Sequence, residues 1–199
     1  MITESLRVGP GTPEEWLGPF PLASCFGHPE RPLEVDLGCG KGRFLLAHAA
    51  KHPTVNFLGI DRMLRRIRKI DNRARRLELG NIRLMRMEAY YAVAHLLPAA
   101  SVWTYYVFFP DPWPKARHEG NRLFNPAFLD ALCRTLVPGG VVHAATDHEA
   151  YFEQLSDMFA GDARFTSIPP FIPSEDEQTD FERYYITTKP IGRLSVQRT

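Results

Sequence analysis

Residues 33–44 read LEVDLGCGKGRF. Positions 33–37 have the apolar make-up of a buried strand, and glycine then occupies 38, 40 and 42. A helix follows over about 42–51, so a strand turns through glycine directly into a helix. Glycines at such a turn let the chain reverse tightly and let a ligand approach the backbone. A dinucleotide fingerprint would run G-x-G-x-x-G, but Arg43 stands where its third glycine would be and the spacing is G-x-G-x-G. This disfavours a dehydrogenase.

Outward from that turn, strands and helices alternate. VNFLGID (55–61) is a second strand, and the helix after it runs to about Leu79 with Met63, Ile67, Ile70, Ala74 and Leu77 at helical spacing. IRLMR (82–86) is a third strand, 89–96 a short helix and VWTYYVFF (102–109) a fourth strand. A helix over 125–136 stops at Pro138-Gly139-Gly140, VVHAAT (141–146) is a fifth strand, and 150–159 is a helix. This rhythm predicts an α/β fold with a doubly wound, mostly parallel sheet and helices on both faces. It breaks at the end, where 164–168 and 183–188 read as two strands pairing antiparallel at one edge. The Pro- and Gly-rich residues 1–32 read as an irregular N-terminal arm, and 33–199 as one domain.

Composition narrows the class. The chain has 199 residues, 44% of them hydrophobic, enough for one domain with a full core. Lys and Arg number 24 against 23 Asp and Glu, so net charge by itself announces no polyanionic partner. The cysteines, Cys25, Cys39 and Cys133, are few and widely spaced, which argues against a disulfide scaffold or a Cys-based zinc site. The N-terminus lacks the pattern of a signal peptide, and no apolar run reaches the roughly 20 residues of a membrane span. A cytoplasmic protein without a membrane partner, monomeric or homodimeric, is the expectation.

Acids gather around the glycine turn. Asp36 lies two residues before Gly38, Asp61 ends the second strand, and Glu88 follows the third. A carboxylate at the end of the second strand can accept hydrogen bonds from ribose hydroxyls, and one after the third can face an adenine amino group. The plainer reading makes the acids helix caps. It suits Asp61 but not Asp36, because an unpaired acid in an apolar strand end is costly.

A second stretch carries equal weight: YYVFFPDPWPKARH, 105–118. A buried strand breaks into Pro110, Asp111, Pro112, Trp113 and Pro114, then meets Lys115. Three prolines hold one carboxylate and one indole stiffly at a strand end.

The order D-x-G-x-G-x-G, then GID, then EA resembles the S-adenosylmethionine site of class I methyltransferases. With FFPDPWPKARH the chain is similar to the bacterial tRNA (guanine-N7)-methyltransferase family. Thr146-Asp147 after the fifth strand and the late Thr179-Asp180-Phe181-Glu182 match that family's T-D and T-x-[FY]-E motifs. The resemblance covers about 33–185. It implies a Rossmann-like methyltransferase domain with S-adenosyl-L-methionine as cofactor, no metal and tRNA as partner. It also implies that Asp36, Gly38, Gly40, Asp61 and Glu88 bind the cofactor. Asp111 is implied to touch both methyl donor and target guanine as the catalytic residue. Lys115, Asp147, Thr179 and Glu182 are implied to bind substrate, a guanosine in the variable loop.

The chain departs from the family on the RNA side. ARHEGNRL after the P-D-P-W loop holds only Arg117, His118 and Arg122 as basic residues, beside Glu119, and Arg7 is the one Lys or Arg in 1–30. Eight cations stand instead between Arg62 and Arg76, against Asp71 alone. They read either as a solvated helix face or as a phosphate-contacting surface. Other readings are a class I methyltransferase acting on DNA or a small molecule, and a non-catalytic RNA-binding relative. D-P-P-[YF] of amino-methylating enzymes is a loose relative of Asp111-Pro112-Trp113, but the second proline is missing.

Overall fold

The computed structural model describes residues 22–185 and 190–199. The expected arm 1–32 therefore lies mostly outside the described residues. Its described end is a 3-10 turn, Leu22–Cys25, and Leu22 and Phe26 are buried in the core.

The strands β1 (Leu33–Leu37), β2 (Asn56–Ile60), β3 (Ile82–Met85), β4 (Val102–Phe108), β5 (Leu136–Thr146), β6 (Phe165–Ile168) and β7 (Gly192–Arg198) form one sheet. Its order is β3-β2-β1-β4-β5-β7-β6. β1 to β5 pair in parallel, and β7 runs antiparallel to both β5 and β6. The chain starts at the centre, winds outward to β3, then crosses to β4. The order reverses between β1 and β4, and in such sheets ligands bind outside the carboxyl ends at that switch.

Strand periodicity divides the core in two. In β2, Phe57 packs with Leu45 and Leu46 of α1 (Arg43–Lys51) and Ile67, Ile70 and Ala74 of α2 (Leu64–Arg76). Its neighbour Leu58 joins Val35, Tyr105 and Val93 with Phe128 and Leu132 of α4 (Pro126–Thr135) and Tyr151 and Leu155 of α5 (Glu149–Ala160). Successive strand residues face opposite sides, so apolar runs are required where both faces carry helices. The short helix α3 (Ala89–Tyr91) continues as a π-type turn, Ala92–Leu96.

Gly42 shows why the third glycine is there. Its φ of 74° is left-handed, and a Cβ would lie 2.6 Å from Ile70 Cγ1. It turns the chain into α1 and lets α1 and α2 close on each other.

Two expectations are corrected. The strand placed at 183–188 is not one: Asp180–Tyr185 is a helix, α6, and residues 186–189 lie outside the described range. The antiparallel strand comes later, as β7, and inserts between β5 and β6. Pro138-Gly139-Gly140 also does not separate helix from strand. β5 begins at Leu136, and the register jumps from Val102↔Leu136 to Thr104↔Val141, with the Pro-Gly-Gly excursion between.

Candidate functional site

A cavity of about 700 Å³ opens at the carboxyl ends of β1 to β4. That volume suits a nucleoside-sized ligand. Gly38, Asp61, Glu88, Asp111, Trp113 and Arg122 are among its lining residues. The structure thus brings the glycine turn, two of the three predicted acids and the P-D-P-W loop to one space.

Each wall has a local cause. The N–H groups of Gly38 and Cys39 both donate to Ile60 O, at 2.8 and 3.0 Å, stitching the turn to β2. Gly38 and Gly40 have φ of 77° and 56°, which glycine adopts without strain. Asp61 is 4% exposed and acts as a hub. Its Oδ1 accepts from Met63 N at 2.7 Å, and its Oδ2 accepts from Gly40 N and Arg66 Nη1, both at 3.1 Å. A carboxylate offers about four lone-pair sites. Three are used by described residues, leaving one on Oδ1 for a ligand hydroxyl. Glu88 caps α3, its two oxygens accepting from Tyr90 N at 2.9 Å and Tyr91 N at 2.8 Å. Each of its oxygens retains a lone pair at the cavity wall.

Asp36 does not line the cavity. It is buried on the α1 side of the sheet, beneath the turn. Burial, reinforced by the nearby Asp61 carboxylate and opposed by His48, pushes its carboxyl up to about 7. Desolvation disfavours the charged form of an acid, and a like charge adds to it.

The P-D-P-W loop leaves β4 under backbone strain. Phe109 and Trp113 have φ of 54° and 42°, in the left-handed region that bulky residues avoid. The strain is held from outside. Phe109 N donates to Ala145 O at 2.7 Å, and the Phe109 ring packs on Phe181 at 4.7 Å between centroids. Trp113 is half-buried and meets His118 edge-on at 5.8 Å. Asp111 between them is exposed to the cavity. Such clusters of sparsely populated backbone mark functional loops.

Arg122 supplies the loop's strongest tie. It is 6% exposed. Nε donates to Pro112 O at 2.8 Å, Nη1 donates to Gln154 Oε1, and the guanidinium lies 5.0 Å over the Tyr151 ring. In sequence Arg122 looked like one of the few remaining basic groups for RNA; here it turns inward. Nothing in its spacing marks it, since burial of a single arginine in a polar loop leaves no periodic signal.

The other predicted residues fall outside the cavity lining. Lys115 is exposed and Asp147 half-buried. His148, not Asp147, caps α5, with Nδ1 accepting from Tyr151 N at 3.2 Å. Thr179 Oγ1 accepts from Glu182 N at 3.0 Å, capping α6. Glu182 is 1% exposed and ion-paired with Arg193. These two residues build α6, and α6 presents Phe181 to Phe109.

A polar clamp beside the site also escaped the sequence. Tyr106 donates to Glu34 Oε2 at 2.9 Å, so its oxygen accepts from His48 Nε2 at 3.0 Å. His48 Nδ1 lies 2.8 Å from Glu177 Oε1. Both ring nitrogens face acceptors, which requires an imidazolium. Burial opposes that charge, but Glu34 and Glu177 outweigh it and raise the His48 pKa. Lys51 adds bonds to Ser174 Oγ at 2.7 Å and Asp176 Oδ1 at 2.8 Å. The turn ahead of α6 is thereby fastened to α1.

Comparison with known proteins adds the family. A family model described as "Putative methyltransferase" matches residues 30–193. A tRNA (guanine-N(7)-)-methyltransferase of Halorhodospira halophila is 38% identical over 184 residues, covering 89% of this chain and 78% of that protein. One of Nocardia farcinica is 36% identical over 186 residues, covering 94% of this chain and 65% of its own length. Among solved structures, the 16S rRNA methyltransferase KamB superposes with a TM-score of 0.61 at 18% identity, over 84% of this chain and 87% of that one. The antibiotic-resistance methyltransferase Kmr gives 0.59 at 20%, over 84% and 86%. At those identities the structures speak for the fold alone. The sequence matches go further, and by them the chain belongs to the tRNA (guanine-N7)-methyltransferase family.

Proposed function

We propose that the chain transfers the methyl group of S-adenosyl-L-methionine to N7 of a guanosine in tRNA, at a variable-loop position, in the cytoplasm. The observation that carries this reading is the shared cavity: Asp111, on a strained and tied-down loop, faces the same space as Gly38, Asp61 and Glu88. The residues fit the cofactor. Asp61 keeps a lone pair for a ribose hydroxyl, Glu88 keeps acceptors for an adenine amino group, Gly38 lines the cavity, and Gly40, off the lining, holds Asp61 through its N–H. Asp36 lies beneath the turn, where a cation bound nearby would favour its ionised form. Bound there, S-adenosyl-L-methionine supplies an electrophilic methyl group on a sulfonium.

The chain's own work is positioning. Guanine N7 carries an in-plane lone pair, so no base has to remove a proton first. Asp111 accepts from the guanine N1–H and exocyclic amine, which fixes the ring with N7 toward the donor. Its charge favours the cationic purine as it forms. Trp113 closes one wall, Arg122 holds the loop's backbone, and Lys115 and Asp147 stand on the RNA side. Thr179 and Glu182 contribute by building α6 against Phe109.

The test is to incubate the protein with methyl-labelled cofactor and unmodified tRNA, then digest to nucleosides. The reading expects the label in 7-methylguanosine. Label in another nucleoside, or none in tRNA, overturns it.

A further inference from the structure

The chain is nearly neutral, with a net charge of +1, yet eight of its 24 Lys and Arg residues fall between Arg62 and Arg76. Three are engaged within the fold. Arg66 pairs with Asp61 at 3.1 Å, Arg75 with Asp71 at 3.0 Å, and Arg73 Nη1 donates to Lys41 O at 3.2 Å. Among the described residues, Arg65, Arg68, Lys69 and Arg76 form no ion pair, and all four are exposed.

Helical geometry aligns them. At 3.6 residues per turn, Arg65, Lys69 and Arg76 follow one another up a single line of α2. Ile67, Ile70 and Ala74, all buried, occupy the opposite side. The line is about 16 Å long at 1.5 Å per residue, enough to meet several successive phosphates. Because the apolar face of α2 is committed to the core, the helix cannot insert that face into a lipid surface. The foot of the line also leads into the site: Arg62 and Arg66, at the start of α2, line the cavity with Asp111 and Trp113. The other place to look for RNA-binding cations, after the P-D-P-W loop, has lost Arg122 to the interior.

We infer that the outer face of α2 is a docking surface for the sugar–phosphate strand of tRNA, flanking the nucleotide that enters the cavity. The inference rests on the tRNA reading above and adds where the backbone lies. Exposed cations without internal partners release counterions when they meet phosphates, so their contribution is read in the salt dependence of binding.

The experiment uses the full chain with Arg65, Lys69 and Arg76 all changed to Glu. tRNA binding is titrated between 50 and 200 mM salt, with cofactor affinity and thermal unfolding measured in parallel. Three lost phosphate contacts should flatten the slope of log affinity against log salt by about 2–3 units. tRNA affinity should fall at least about tenfold at the low-salt end. Cofactor affinity should be unchanged, and methyl transfer should recover at saturating tRNA, because these residues do not touch the cavity. An affinity and slope equal to those of the unaltered chain would return α2 to a solvated face, and the inference would fall with methylation intact. Failure of the unaltered chain to methylate tRNA overturns the functional reading itself. The binding slopes still judge the surface in that case, and if the unaltered chain does not bind tRNA, both fall.

Discussion

Replacing Arg122 by Lys asks how the loop that carries Asp111 is held. The structure defines what is lost. A lysine keeps the charge but offers one ammonium in place of a planar fork, so it cannot bond both Pro112 O and Gln154 Oε1 while stacking on Tyr151. A charge-assisted hydrogen bond contributes about 1.5–3 kcal/mol, and a desolvated cation–π contact about 1–2. The contact with Glu119 at 3.4 Å adds little, because that carboxylate is half exposed. Losing one bond and the stacking costs about 2.5–5 kcal/mol. In a domain of this size that lowers the melting temperature by about 5–20 °C. Function should suffer more than stability. With Pro112 O released, the strained residues at 109 and 113 can relax, and Asp111 loses its direction. A displacement of about 1 Å costs on the order of 100-fold in rate. The assay is single-turnover methyl transfer to tRNA, run well below the melting temperature and paired with thermal unfolding. A variant that melts early but transfers methyl at the normal rate would refute the idea that Arg122 positions the loop.

Asp111→Ala should leave the fold and cofactor affinity nearly intact and reduce turnover by about 100-fold or more, the cost typical of one preorganised electrostatic partner. Asp111→Asn should recover little, since its amide presents a donor where two acceptors are wanted; near-normal methylation by either variant would leave the loop as scaffolding for Trp113. Asp61→Ala should weaken cofactor binding by about 1–3 kcal/mol in calorimetry. It should also lower the melting temperature, because Gly40 N and Met63 N lose their acceptor; unchanged affinity would make Asp61 a structural hub only. Asp36 predicts proton release on cofactor binding. Its carboxyl is raised to about 7 in the free chain, so the fold favours the protonated form and ionisation costs stability from about pH 4 up to about 7. A cation bound nearby lowers that pKa, so affinity should rise with pH through 7 and then level off. About half a proton should be released per cofactor at pH 7, read by calorimetry in buffers of different ionisation enthalpy. A pH-independent affinity would detach Asp36 from the cofactor.

Sequence made the fold legible where two signals coincided. LEVDLGCGKG joined a strand pattern to glycines that the chain conformation demands, and φ at 38, 40 and 42 is positive in each case. The five parallel strands followed from apolar runs that are buried on both faces. The C-terminal region was misread because RYYITT has strand composition, while its first residues are held in a helix by distant contacts. Thr179 caps it, Phe181 docks on Phe109, and Glu182 pairs with Arg193. The true strand, GRLSVQR, carries only Leu194 and Val196 as apolar signal. Site residues divided in the same way. Acids at strand ends could be placed from topology, and Asp61, Glu88 and Asp111 reach the cavity. Asp36 lies off the cavity lining because strand alternation sends its side chain to the other face from Leu37. Arg122 and the His48 clamp depend on partners 10 to 129 residues away, which no local pattern records.

In the proposed mechanism the acceptor atom is guanine N7, placed by Asp111 rather than activated by a base. It is tested most directly with a tRNA carrying a single 7-deazaguanosine at the target position, which replaces the nucleophilic nitrogen with carbon and leaves the N1–H and amine edge unchanged. tRNA affinity should stay within about twofold of the normal substrate, since every positioning contact survives, with no methyl incorporation at that nucleotide. Continued methylation of the deaza nucleotide would place the acceptor elsewhere and contradict the mechanism.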